Sequence, residues 1–238
     1  MTDEQVDKVL RKASRVASPV DPALLKRIAE SLSGSLRPVR PLPPRWLLTS
    51  GLALICALVA VTAAAHAGFY GVEKLMVWER VAIFSTLAIL VWVAGTQFVS
   101  QLIPASRQAL PAGAFVTIGS AALLGVFALV FSDYHTDHFI AAGLACLGTG
   151  LLFAIPAALL GCLLLRRGYA VNPVAAGLAG GTLAGLCGVT MLELHCANFQ
   201  AWHVLVWHTA VLPVSAAVGA LVGYVVRLRA HEALGRTR

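Results

Sequence analysis

Imidazole, thiol and carboxylate side chains gather at a few places in this chain. Six of its seven histidines (His66, His135, His138, His195, His203 and His208) stand at one set of margins of long apolar segments, and only His231 lies elsewhere. Two stretches mix donor types: Asp133-Tyr134-His135-Thr136-Asp137-His138 and Glu193-Leu194-His195-Cys196. These are the ligand types of zinc, copper and nickel sites. His135, His138, His195, His203 and His208 are therefore the candidate metal-ligating histidines. His135 and His138, three apart, share a face if their segment is helical. His203 and His208 are five apart, and on an α-helix they point roughly 140° from each other. Histidine also suits headgroup depth simply as an amphipathic residue, so both readings stay open. No catalytic residue is assigned, and the chain is read as a non-enzyme.

The five cysteines separate by depth. Cys56 and Cys187 fall inside apolar segments and Cys162 near the opposite margin, where thiols act as small hydrophobes. Cys196 sits beside His195. Cys146 lies eight residues past His138, hence about 12 Å along a helix at 1.5 Å per residue, and is the other cysteine on the histidine side. A disulfide between them requires Cα atoms within about 7 Å.

The elements that position these residues are six apolar segments: Leu47 to Ala65, Val81 to Ile103, Ala112 to Phe131, Phe139 to Leu165, Pro173 to Leu192 and Val204 to Val226. Each is near or above the roughly 20 residues that cross a bilayer as a helix. Composition agrees, with 58% hydrophobic and 12% charged residues, against about 25% charged in a soluble domain. The expected fold is all-α, a polytopic antiparallel bundle of six transmembrane helices joined by short connections. It divides into an N-terminal segment (1–45), the membrane domain (46–226) and a basic tail (227–238). No cleavable leader is expected, because the first apolar segment begins only at Leu47, after nine Lys or Arg.

Positive charge fixes the expected orientation. With both termini cytoplasmic, sixteen Lys and Arg lie inside and only Lys74 and Arg80 outside. The histidine margins are then the outer face of a bacterial inner membrane. The net +7 is accounted for by topology and anionic lipid rather than by a nucleic acid, and no direct nucleic-acid contact is expected.

The N-terminal segment carries a weak amphipathic stretch over residues 3–16 and a stronger helix after Ser18-Pro19. Asp21 is its expected N-cap, Pro22 suits the first turn, and Gly34 is a stop. Leu24, Leu25, Ile28 and Leu32 form an apolar stripe that needs a partner, either the inner leaflet or the groove of a soluble protein. Residues 37–46 follow, with four prolines in seven residues, a semi-rigid spacer of roughly 20 Å before Trp46. Within the bundle, small residues recur every four positions at Ala176, Gly180, Ala184 and Gly188, at Gly177, Gly181 and Gly185, and at Gly219 and Gly223, so close helix packing is expected there. Pro156 and Pro213 sit inside the fourth and sixth segments and can kink them.

The block from Glu193 to His208, His-Cys followed by His-Val-Leu-Val-Trp-His and a Gly-rich last helix, resembles the signature of the bacterial negative regulator of sigma-F family. The resemblance extends to the polar N-terminal stub, the junction from Arg37 to Trp46 and the helix count. It implies a six-helix inner-membrane anti-sigma factor whose cytoplasmic N-terminus holds an extracytoplasmic-function sigma factor. It also implies two outer-face cysteines that sense stress, and Cys146 and Cys196 match them by position. Oxidation or a transiently bound thiophilic or transition metal would be the signal, and the stripe Leu24, Leu25, Ile28 and Leu32 the partner contact. The stub has no His/Cys zinc motif, unlike zinc-binding soluble anti-sigma domains. Two other classes compete. A small transporter needs polar groups at mid-bilayer, where Gln97, Gln101, Thr182 and Thr190 form a thin set. A membrane thiol oxidoreductase would use Cys146 and Cys196, but the chain has no Cys-x-x-Cys dithiol.

Overall fold

The computed structural model describes residues 5, 8, 21–35, 43–103, 106, 110–167 and 170–235. The chain divides into two units, Met1–Leu42 and Pro43–Arg238. In the first, α1 (Pro22–Ser35) opens as expected, with the Asp21 carboxylate accepting from the Ala23 amide at 2.9 Å, and it ends one residue past Gly34. Leu24, Leu25 and Ile28 are each about half exposed. The side chain of Leu32, the amphipathic stretch at 3–16 apart from Gln5 and Lys8, and the prolines at 38 and 41 lie outside the described residues.

The second unit is a helical bundle. Its long helices are α2 (Arg45–Ala67), α4 (Val77–Leu102), α5 (Ala112–Val130), α6 (Phe139–Arg167) and α7 (Pro173–His195). A further span runs through α8 (Ala201–His203), a π turn (Val204–His208) and α9 (Thr209–Gly235). Six helices are thus long and apolar enough to cross a bilayer, and the described residues form an all-α architecture. A short helix unforeseen in the sequence, α3 (Tyr70–Lys74), fills the turn between α2 and α4.

Local polar contacts move the helix starts and stops away from the hydropathy margins. The span expected from Val81 begins at Val77, because Glu79 reaches back to accept from the Met76 amide at 2.7 Å. Arg80 then ties the preceding turn, donating to the Leu75 carbonyl at 2.8 Å and the Glu73 carbonyl at 3.1 Å. α7 starts on an Asn172 cap, whose side chain accepts from the Ala175 amide at 3.1 Å. It continues three residues past Leu192, so that Glu193 and His195 are helical.

Helix α7 is the centre of the bundle: 78% of its most apolar stretch is buried, against 22–39% for the other five spans. It lacks a polar face because it is surrounded by helices rather than by lipid on one side. Its small residues let α9 approach backbone to backbone. A Cβ at Gly177 would overlap the Gly219 carbonyl, and one at Gly219 would overlap the Gly177 carbonyl. The glycine faces are therefore used within this chain.

Candidate metal centre

At one end of the bundle three connections meet over α7. Asp133, just after α5, forms an isolated β-bridge with Gln200, and the Ala201 amide donates to the Asp133 carbonyl at 2.5 Å. Phe131 stacks on Phe199 and Tyr134 meets Trp202 edge-on, which fixes where α8 begins. α3 lies over the end of α7, so close that a Cβ on Gly71 would stand 2.6 Å from the Cys196 carbonyl oxygen and 2.8 Å from that of Glu193.

Beneath this cover four donors converge. Cys146 comes from α6, Cys196 from the residue closing α7, His203 from the end of α8 and His208 from the end of the π turn. Their ligand atoms all lie within 4.8 Å of one another. The two Sγ atoms are 3.5 Å apart and Cys196 Sγ is 3.7 Å from His203 Nε2. Tetrahedral zinc, with metal–sulfur bonds of about 2.3 Å and metal–nitrogen bonds of about 2.0–2.1 Å, would set donor separations of roughly 3.8 Å for S–S and 3.5 Å for S–N. The S–S and Cys196–His203 separations are within about 0.3 Å of those values, and the remaining donor pairs lie within 4.8 Å. A disulfide would need the sulfurs to close from 3.5 Å to about 2.05 Å. Cys196, His203 and His208 are buried and Cys146 is half-buried.

A carboxylate adjoins the cluster. His208 Nδ1 is 2.6 Å from Glu193 Oε1, and both side chains are nearly inaccessible, at 2% and 3%. The His203 and His208 rings pack edge to face at 5.3 Å. His203 Nδ1 and His208 Nε2 are buried without a hydrogen-bond partner among the described residues. In the connection after α7, hydrogen bonding to Cys146 and then burial push the Cys196 thiol above its ordinary range, opposed by its contacts with the two histidines. A metal ion would reverse this, since the ligand is the thiolate.

The expected 140° divergence of His203 and His208 is corrected by the π turn. Hydrogen bonds that close between residues five apart bring such residues nearly above one another, which an α-helix does not. The other histidines lie elsewhere. His195 Nδ1 bonds the Gly68 carbonyl at 3.0 Å and its ring meets Tyr70. His135 and His138 do not share a helical face, because their segment is not helical: His138 has φ 53° and α6 starts only at Phe139. His135 instead pairs with Asp133 at 2.5 Å on the surface. Glu193 was noted in the sequence only as a nearby carboxylate. Its signal was its place, a lone acid flanking an otherwise uncharged segment. Cys56 and Cys187 meet in the core, where the Cys187 thiol donates to the Cys56 carbonyl at 3.4 Å. Cys162 is half-buried on α6.

Six helices able to span a membrane, with a largely buried two-cysteine, two-histidine cluster at one end, describe a multi-pass membrane protein with a candidate metal centre. Residues 32–228 match the family model described as negative regulator of sigma F, and the chain belongs to that family. No curated protein and no solved structure matches it. The chain is thus a negative regulator of a sigma factor, and the matched region takes in all six spans and begins inside α1.

Proposed function

We propose that this regulator is an inner-membrane anti-sigma factor that holds an extracytoplasmic-function sigma factor at the cytoplasmic face and releases it when a thiophilic metal ion occupies the cluster at the outer face. The observation that carries the reading is the convergence of Cys146, Cys196, His203 and His208 within 4.8 Å. The sixteen-to-two distribution of Lys and Arg supports the orientation, with both termini inside. The half-exposed stripe Leu24, Leu25 and Ile28, which the sequence spacing extends to Leu32, supplies an apolar face for the sigma factor.

Three of the four donors stand on the segment from α7 to α9, whose backbones touch at Gly177 and Gly219, and the fourth stands on α6. An ion drawing Cys146 toward the other three therefore acts on α6. That helix runs from the cluster past Pro156 to Arg166 and Arg167 at the other end. A hundredfold release requires about 2.7 kcal/mol of coupling between the two ends, within the range of known allosteric couplings.

The test is to purify the full-length chain from its own bacterium and identify by mass spectrometry whether an extracytoplasmic-function sigma factor accompanies it. The expected result is co-purification that is lost on adding zinc or cadmium and lost constitutively in Leu25→Asp, Ile28→Asp protein that still inserts. A sigma factor retained by the Asp variant moves the contact away from α1. Retention in the presence of bound metal refutes release by metal.

A further inference from the structure

We infer that Glu193 is a positioning residue whose carboxylate orients the His208 imidazole and so sets how tightly the cluster takes a metal ion. The inference rests on the metal reading above. A carboxylate at 3% exposure in the last turn of a membrane span is costly unless it meets a specific partner. Here the hydrogen-bond partner is His208 Nδ1 at 2.6 Å. An ionised carboxylate can only accept, so the bond places a proton on Nδ1, and when the ring is neutral its lone pair is then on Nε2, as a metal ligand requires. Nε2 is the nitrogen that is buried without a hydrogen-bond partner among the described residues. A buried acceptor left unpaired is unfavourable unless something else fills the place, and a metal ion would do so.

The backbone explains why Glu193 can do this. It precedes Cys196 by three residues at the end of α7, so one helical turn presents both a thiol donor and the carboxylate that aims an imidazole. The imidazole comes from the π turn, and the bond to Glu193 fixes the rotation about its two side-chain torsions. His203 lacks such an arrangement: its Nε2 faces Cys196 Sγ, and its Nδ1 has no hydrogen-bond partner among the described residues. The two histidines are therefore unequal, and the one held by the carboxylate is the better-ordered ligand. Carboxylate-to-histidine hydrogen bonds of this kind change metal affinity by about 10- to 100-fold when removed.

The test uses the full chain in detergent or nanodiscs and cobalt(II) as the probe. Affinity is read from the tetrahedral visible bands, and the number of imidazoles from their outer-shell scattering in the X-ray absorption spectrum. Wild-type protein should bind one cobalt with two sulfur and two imidazole ligands. Glu193→Leu should bind roughly 10- to 100-fold more weakly with one imidazole. Glu193→Gln, whose amide oxygen still accepts from Nδ1, should keep both imidazoles while losing several-fold in affinity, and it carries the test if the leucine variant does not fold. Unchanged affinity in the glutamine variant, or two imidazoles with unchanged affinity in the leucine variant, overturns the role of Glu193. Wild-type protein that binds no cobalt overturns the metal reading itself.

Discussion

Gly71→Ala should damage the cluster although Gly71 contributes no side chain to it. The added Cβ would stand 2.6 Å from the Cys196 carbonyl oxygen and 2.8 Å from the Glu193 carbonyl oxygen, where ordinary contact begins at 3.4 Å. The two backbones must therefore separate by about 0.8 Å, and neither neighbour is the free end of a side chain that could turn aside. Overpacking of this kind costs about 1–3 kcal/mol. A site built to bind needs its groups held within roughly 0.5 Å, so a displacement of that size at Cys196 and Glu193 should weaken metal binding as well as stability. Gly125→Ala is the control, because a Cβ there meets nothing within 4 Å. Thermal unfolding in one detergent, with and without cobalt(II), reads both effects: Gly71→Ala should melt lower and gain little from the metal, whereas Gly125→Ala should match the wild type. Equal behaviour of the two variants would refute the claim that α3 packs on the end of α7 closely enough to shape the site.

Serine at Cys146 or at Cys196 should each abolish the metal response, and the double variant should do no worse than either one, since one ion needs both sulfurs; additive losses measured by promoter induction would mean independent roles. Gly219→Val should destabilise the bundle toward the upper end of about 1–3 kcal/mol, read by thermal unfolding, because its Cβ meets the Gly181 Cα at 2.8 Å and backbone cannot give way. The Asp133 pair should show in a pH titration followed by NMR. Its hydrogen bond and then its charge raise the His135 pKa above the ordinary 6.5, while the Asp133 carboxyl is lowered. The pairing is complete below the ordinary histidine range and is lost as pH rises through the raised value; at the acid end it fades as pH falls through the lowered carboxyl value. Asp133→Asn should return His135 toward 6.5, and an unchanged midpoint would show that the contact does not form in solution.

The spans were legible because hydrocarbon leaves the chain few choices. A run of some twenty apolar residues must satisfy its own backbone, so helix count and order follow from hydropathy alone. The small-residue faces were legible for a related reason, since Gly177, Gly181 and Gly219 have little use in a span other than close approach. What hydropathy does not carry is the end of each helix. Glu193 and His195 fell outside the fifth expected segment because they are polar, yet α7 continues through both. Likewise α3, five residues long, has too little apolar periodicity to be seen beside the spans it joins.

The donors show the same limit in sharper form. Depth grouped Cys146 with Cys196, because distance along a helix axis is simple arithmetic. Rotation about the axis is not so simple, since the sequence does not announce where a helix widens. Assuming α-helical periodicity separated His203 from His208, and one π turn at Val204–His208 brings them together. Such turns interrupt the regular ladder at a cost and are frequent at functional sites. Here the turn's effect is to face two imidazoles toward two thiols, beside a carboxylate that bonds one of them. The residue types disclosed the available chemistry; a single irregular turn of backbone decided which of the histidines could take part in it.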